Sequence, residues 1–158
     1  MNTIYPAHIK YDSKEKRYTV QFLDLSEAIT EAETITEAIA NASEVLTLTL
    51  EGRMDENMEI PLPQQPENNK NIYWIAPSVR VQAALLVKVV IQNKEIKITK
   101  AQLARTMQTS WPAVARLENP HHWPNLRQLE KAATLMGQKL VLSFMPTQEL
   151  AVKPKCEN

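Results

Sequence analysis

Asp24, Glu27, Glu31 and Glu33 place four carboxylates within a ten-residue stretch, and Asp12 adds a fifth nearby. Carboxylates of this kind can hold a divalent cation or move protons. A metal-dependent nuclease, however, needs several of them converging from different strands. These five are strung along one part of the chain as a loose acidic scatter, so neither a metal site nor catalysis is expected. His8 falls between Tyr5 and Ile9 on an early extended run and reads as a surface or packing residue. His121 and His122 are adjacent with no third ligand nearby, which does not make a zinc site. Cys156 is the only cysteine, so there is no intrachain disulfide and no thiolate cluster. No cofactor is expected, and the chain reads as a non-enzyme.

The same acidic stretch can act through its field. Residues 1–66 carry 5 Lys/Arg against 12 Asp/Glu, a net of −7, and residues 67–158 carry 13 against 6, a net of +7. The overall charge of zero hides this division, which points to two different partners. An acidic surface repels a phosphate backbone, so nucleic acid belongs with the second half. There, Lys100, Gln102, Ser110, Trp111, Pro112, Ala115 and Arg116 have the types and spacing to meet DNA. Lys100 and Gln102 suit the phosphate backbone. Ser110, Trp111, Pro112, Ala115 and Arg116 would face outward from a short helix.

The elements that position these residues follow from the pattern. In the first half, Ile4–Tyr11 and Arg17–Phe22 alternate with period two around the polar turn DSKEK, which predicts a β-hairpin. Ala28–Glu33 is a weaker third strand. Thr34 and Glu37 form a T-x-x-E capping box. Ile35, Ala38, Ile39, Ala42, Val45 and Leu46 then lie on one helical face, with Ile35, Ile39, Val45 and Leu46 expected in the core and Gly52 at the exit. A short strand is expected near Glu59–Leu62, before the proline-rich boundary. The expected fold class is α+β: a small antiparallel sheet with one covering helix, followed by a helical domain with a terminal β-strand.

In the second half, Asn71–Pro77 reads as a short strand or extended connector. Ser78 is a possible cap for a buried helix through VRVQAALLVKVVIQN, whose Leu85, Leu86, Val89 and Val90 would serve as core or dimer seam. Thr99 and Gln102 cap a short helix whose buried side is Ala101, Leu103, Ala104 and Met107. Ser110 caps the next, with Pro112 in its first turn and Val114 and Leu117 facing the core. Arg116 has competing internal partners in Glu118 and Glu130. Asn125 and Gln128 would cap a last helix with a stripe of Leu126, Leu129, Ala132, Ala133 and Met136, and Gly137 suits its exit. Lys139–Phe144 reads as a strand, and a tail follows. The expected division is 1–66, a connector at 67–77, 78–144, and a tail at 145–158. The N-terminus lacks signal-peptide character, and Lys88 interrupts the longest apolar run, so no membrane span is expected. With one cysteine, a reducing, cytoplasmic compartment is expected.

Two short capped helices with a tight joint match a helix-turn-helix, whose second helix enters a major groove. Gln102–Glu118 resembles the lambda-repressor-like class: Leu103-Ala104-Arg105, the turn Gln108-Thr109-Ser110, then Ala113-Val114-Ala115-Arg116-Leu117-Glu118. Gln108 stands where that class has glycine. The first half resembles the HicB antitoxin family through YPAHIKYDSKEKRYTVQFLDL, EAITEAET and ITEAIANASEVL, with Ser26 where proline is common and Ala32 where glycine is common. Together the two resemblances span residues 4–144.

The HicB resemblance implies a degraded ribonuclease-H-like first domain. It implies a type II antitoxin that masks a HicA-like mRNA-cleaving toxin, with Asp24, Glu27, Glu31 and Glu33 in the toxin-binding region. It also implies a homodimer or higher oligomer that binds double-stranded operator DNA and represses its own operon. The alternatives are a stand-alone regulator with a sensing domain, a minimal metal-dependent ribonuclease, and a plain oligomerisation domain.

Overall fold

The structure is a computed structural model, described here for residues 3–67, 70–92 and 98–144. The expected tail at 145–158 lies outside the described residues. The order of elements is β1 (Tyr5–Asp12), β2 (Arg17–Phe22), β3 (Ile29–Ala32), α1 (Ile35–Asp55), β4 (Ile72–Ile75), α2 (Val79–Gln92), α3 (Lys100–Met107), α4 (Trp111–Leu117) and α5 (Leu126–Leu135). The described chain divides into two compact units, 3–78 and 79–143.

In the first unit the strands form one antiparallel sheet in the order β3-β2-β1-β4. The hairpin turn is built by Asp12, whose Oδ1 accepts the backbone N–H groups of Lys14 and Glu15, and by Lys16 in the left-handed region at φ +52°. This is an Asx-type turn, which explains why a charged, glycine-free stretch reverses the chain. Ile72–Ile75 falls within the stretch expected to join the halves. It pairs with β1 instead, Tyr5 opposite Ile75 and His8 opposite Ile72.

Helix α1 packs on β3, β2 and β4. Thr34 caps it, accepting the Glu37 N–H, but the Glu37 carboxylate reaches the N–H of Glu33 rather than that of Thr34. The buried apolar positions are Ala38, Ala42, Leu46, Leu50 and Met54, a strict spacing of four, and Glu51 is buried beside them. Ile35, Ile39 and Val45, expected in the core, are only half-buried. The two alanines put the narrow stripe against the sheet, and the larger residues flank it. The helix does not exit at Gly52. Leu50 and Met54 continue its buried stripe, and Asn57 at φ +53° makes the left-handed turn after it. Glu59–Leu62 is not a strand. The segment carries prolines at 61 and 63 and makes no ladder.

The second unit packs α2, α3, α4 and α5 around Val87, Leu103, Met107, Val114, Leu117 and Leu129. Val90 packs against this core. Ala101 and Leu126 are exposed, contrary to expectation, because the stripes of their helices run through Leu103/Met107 and Leu129/Ala132/Met136. Asn125 caps α5 through the Arg127 N–H, so Gln128 takes no part in a capping box. Lys139–Phe144 is not a strand: it joins no ladder among the described residues.

Gln108 ends α3 in the left-handed conformation, at φ +56°, where the resembling class has glycine. An L-residue pays about 1–2 kcal/mol there. Gln108→Val should lower the unfolding free energy by a further amount of about 1–2 kcal/mol, since a β-branched residue fits this region worst. Gln108→Gly should leave it equal or raise it by up to about 1 kcal/mol. Urea unfolding of the whole chain, followed by tryptophan fluorescence, measures both. A valine variant as stable as the parent would show that the turn does not hold this conformation.

Candidate functional site

The acidic region is organised by a turn after β2. Leu25 and Ala28 are fully buried, and the turn closes through Ala28 N–H to Leu25 O at 2.9 Å and Phe22 N–H to Ala28 O at 3.3 Å. With its apolar residues inward, the turn leaves Glu27 exposed and Asp24 half-buried. Arg53, in the last turn of α1, donates from Nε to Glu27 Oε1 at 2.5 Å and from Nη1 to the Glu59 carbonyl at 2.6 Å. Tyr5 Oη donates to the Pro61 carbonyl at 2.9 Å, and the Gln64 N–H donates to Asp24 Oδ2 at 3.4 Å. Three of these contacts strap residues 59–64 beside the turn, and the Arg53–Glu27 pair ties the turn itself to α1.

The electrostatics follow from this packing. Burial pushes the Tyr5 hydroxyl up to about 12, the Asp24 charge pushes the same way, and Arg53 opposes it. Burial also raises Asp24 above the usual carboxylate range, against the Gln64 N–H that lowers it. The hydrogen bond from Arg53 holds Glu27 below its ordinary value and raises Arg53 in turn.

Two of the four expected contact carboxylates are therefore engaged inside the unit. Glu27 is held by Arg53, and Glu31 by Arg17 across the β2–β3 pairing. Asp24 and Glu33 carry no ion pair among the described residues. Leu23 on the turn, Leu62 on the strap and Met58 just before it are each close to half exposed. The sequence reading missed them. The available signal was apolar residues in segments with no helical or strand period to bury them.

The basic region is built on the α3–α4 joint. The Thr99/Gln102 capping box is complete: Gln102 Oε1 accepts the Thr99 N–H at 2.8 Å, and Thr99 Oγ1 accepts the Gln102 N–H at 3.2 Å. Ser110 Oγ accepts the Ala113 N–H at 3.3 Å and starts α4, with Pro112 in the first turn. Trp111, Pro112 and Arg116 are exposed, whereas Ala115 is half-buried. Trp111 and Trp123 are 55% and 70% exposed, so neither is packed away beneath the loop.

The free positive charge differs from the sequence expectation. Lys100, expected at a phosphate, pairs with Glu118 Oε1 at 3.0 Å, and that same buried oxygen has no hydrogen-bond partner besides this ion pair. That pairing removes Glu118 as a partner for Arg116. Arg105, Arg116 and Arg127 are exposed and make no ion pair among the described residues. Gln102 has its side-chain oxygen committed to the cap, leaving only its NH₂ as a donor. Lys131 Nζ donates to the Met107 carbonyl at 2.8 Å, a cation at the C-terminal end of α3. Together with Gln108, Thr109, Arg127 and Gln128 it lines a shallow hollow of about 270 Å³.

The described residues thus form an α+β unit, acidic in sequence, and a helical unit with an exposed, capped helix pair. The family model described as HicB_like antitoxin of bacterial toxin-antitoxin system matches residues 4–84. Antitoxin HicB of Escherichia coli (strain K12) is 31% identical over 138 residues, covering 87% of this chain and 96% of that protein. Antitoxin HicB 2 and Antitoxin HicB 1 of Photorhabdus laumondii are 27% and 28% identical, over 89% and 90% of this chain and 96% and 88% of theirs. The chain belongs to the HicB family of antitoxins, which implies a toxin partner. Among the described residues no helix is long and apolar enough to cross a membrane, and no group of three or more His, Cys, Asp or Glu could hold a metal.

The strap makes a pH prediction. Tyr5 ionises near 10 when unfolded and near 12 when folded, so between these values the unfolded chain releases its proton first. Stability from this group is complete below pH 10 and is lost as pH rises toward 12. The full loss is on the order of 2–3 kcal/mol. Tyr5→Phe should flatten that part of the alkaline limb relative to the parent, read from unfolding free energies at stepped pH. Identical slopes for the two proteins would contradict a buried, hydrogen-bonded Tyr5.

Proposed function

We propose that this chain neutralises a small HicA-like mRNA-cleaving toxin through its first unit. Through its second unit, as a homodimer or higher oligomer, it binds operator DNA as a helix-turn-helix and represses its own operon. The observation that carries this reading is the division of charge within a HicB-family chain, −7 in residues 1–66 against +7 in the rest. Complementary fields would steer a basic, RNA-cutting toxin to the first unit and DNA to the second. Asp24 and Glu33 are the carboxylates left for that partner, with Leu23, Met58 and Leu62 as apolar contact beside them. Glu27 and Glu31 contribute field, and Arg17 and Arg53 partly neutralise it. On the DNA side Ser110, Trp111, Pro112 and Arg116 would face the groove, with Ala115 close behind. Arg105 and Arg127, ahead of Lys100 and Gln102, would meet phosphates.

Co-expression with the small neighbouring reading frame tests the first half of this proposal. Residues 1–78 should rescue growth and co-purify with its product. Residues 1–66, which lack β4, should do so poorly because β1 loses one of its two neighbours. If only 79–158 binds the toxin, the division of labour is wrong.

The second half of the proposal rests on α4. Arg116→Ala should cost about 1–3 kcal/mol of discrimination for promoter DNA over random DNA if its guanidinium reads a base. If it holds a phosphate instead, both DNAs should weaken alike and the salt slope should fall by about one. Trp111→Ala should weaken promoter binding as well, while toxin binding stays intact. Unchanged affinity in both folded variants would remove α4 as the reading helix.

A further inference from the structure

Lys100 and Glu118 each stand at a helix end that disfavours their charge. Lys100 is the first residue of α3, where unpaired backbone N–H groups already carry positive potential and no acid sits in the first turn. Glu118 is the C-cap of α4, where the last carbonyls carry negative potential. Its side chain is only 12% exposed, and among the described residues its Oε1 has no polar partner except Lys100 Nζ at 3.0 Å. A local rule broken at both ends of one contact points to a gain that is tertiary.

What the pair joins gives that gain its meaning. The left-handed Gln108 and the Ser110 cap form the joint where α3 ends and α4 begins. Lys100 and Glu118 lie at the two far ends of the same helices. The joint and the ion pair therefore hold α3 and α4 at both ends, with Leu103, Val114 and Leu117 buried between. Apolar burial is non-directional, so it resists separation of the helices more than rotation. Helix α4 is about 10 Å long, and turning it by about 10° at the joint would carry Glu118 off by about 2 Å. A 3.0 Å ion pair does not survive that displacement, so it registers the angle.

We infer that Lys100 and Glu118 are a positioning pair that fixes the angle of α4 on α3, and thereby the ability of α4 to discriminate DNA sequence, with neither side chain touching DNA. The inference rests on the proposed helix-turn-helix reading and deepens it. Arg116 stands two residues before Glu118, so an error in the angle displaces its guanidinium almost as far. Lys100 could turn to a phosphate only by leaving the Glu118 carboxylate nearly buried and unpaired, which is strongly unfavourable.

The test compares the full-length parent with Lys100→Gln, with Glu118→Gln, and with the exchanged protein Lys100→Glu/Glu118→Lys. Each is titrated with its own promoter duplex and with a random duplex across a salt series, at a temperature where circular dichroism shows it folded. The two single variants change the net charge in opposite directions, so field alone would shift DNA affinity oppositely in the two. Positioning shifts both the same way: each should lower the promoter-to-random affinity ratio about tenfold, the worth of one base contact. The exchanged protein should recover most of that ratio, because the pair is remade with each charge at the helix end that favours it. If Lys100 held a phosphate instead, Lys100→Gln would weaken both duplexes alike with a salt slope lower by about one, and the exchanged protein would be repelled by DNA. That result overturns the inference. So does an exchanged protein whose ratio is no higher than that of the single variants. If one variant unfolds, the remaining ones decide. A parent without promoter preference overturns the helix-turn-helix reading and the inference with it. A preference that persists unchanged through a folded single variant leaves that reading standing and overturns the inference alone.

Discussion

The first unit depends on β1 being hydrogen-bonded along both edges. The β2 pairing is local and closes through a turn made by Asp12, whereas the β4 pairing joins residues more than sixty positions apart in sequence. Bringing β4 back costs loop-closure entropy, which local contacts cannot recover. The intervening chain offsets that cost by forming α1, which lays Ala42, Leu46 and Leu50 on the sheet, and a strap held by Tyr5, Arg53 and Asp24. Tyr5 joins these two roles. It pairs with Ile75 in the ladder, and its hydroxyl holds the Pro61 carbonyl.

The second unit meets a different constraint. Its helices are short, and α3 and α4 bury only a few residues each. Their first turns are therefore closed by side chains, Thr99 with Gln102 and Ser110, and the end of α3 by the backbone of the left-handed Gln108. Each side-chain cap is worth about 0.5–2 kcal/mol, comparable to burying one aliphatic side chain. This fixes the joint without covering the outer side of α4, so Trp111 and Arg116 remain exposed.

Charge is distributed by the same logic. Glu27, Glu31 and Lys100 are engaged inside their own units, and the pairs at Glu27 and Glu31 lie at the surface, where such bridges contribute little to stability. Their effect is to select which charges are left over. Of the four carboxylates expected at a partner, Asp24 and Glu33 are left without an ion pair, and on the second unit Arg105, Arg116 and Arg127 are left so as well. Arginine keeps its charge in any surroundings and presents a planar fork to a phosphate or a base edge.

The sequence alone determined the hairpin, the covering helix, the capped helix pair and the opposed charges. These rest on local period, on caps that act within four residues, and on composition. Gln108 in place of glycine was legible for the same reason, since a turn of that length requires a left-handed residue wherever it occurs. Tertiary structure decided what depends on distant neighbours. It drew β4 into the sheet and carried α1 past Gly52. It gave Lys100 to Glu118, exposed Leu126, and left Lys139–Phe144 without a strand to join. A strand's sequence states that it can pair, but only the fold supplies or withholds the neighbour, because the hydrogen bonds of a sheet lie between segments rather than within one.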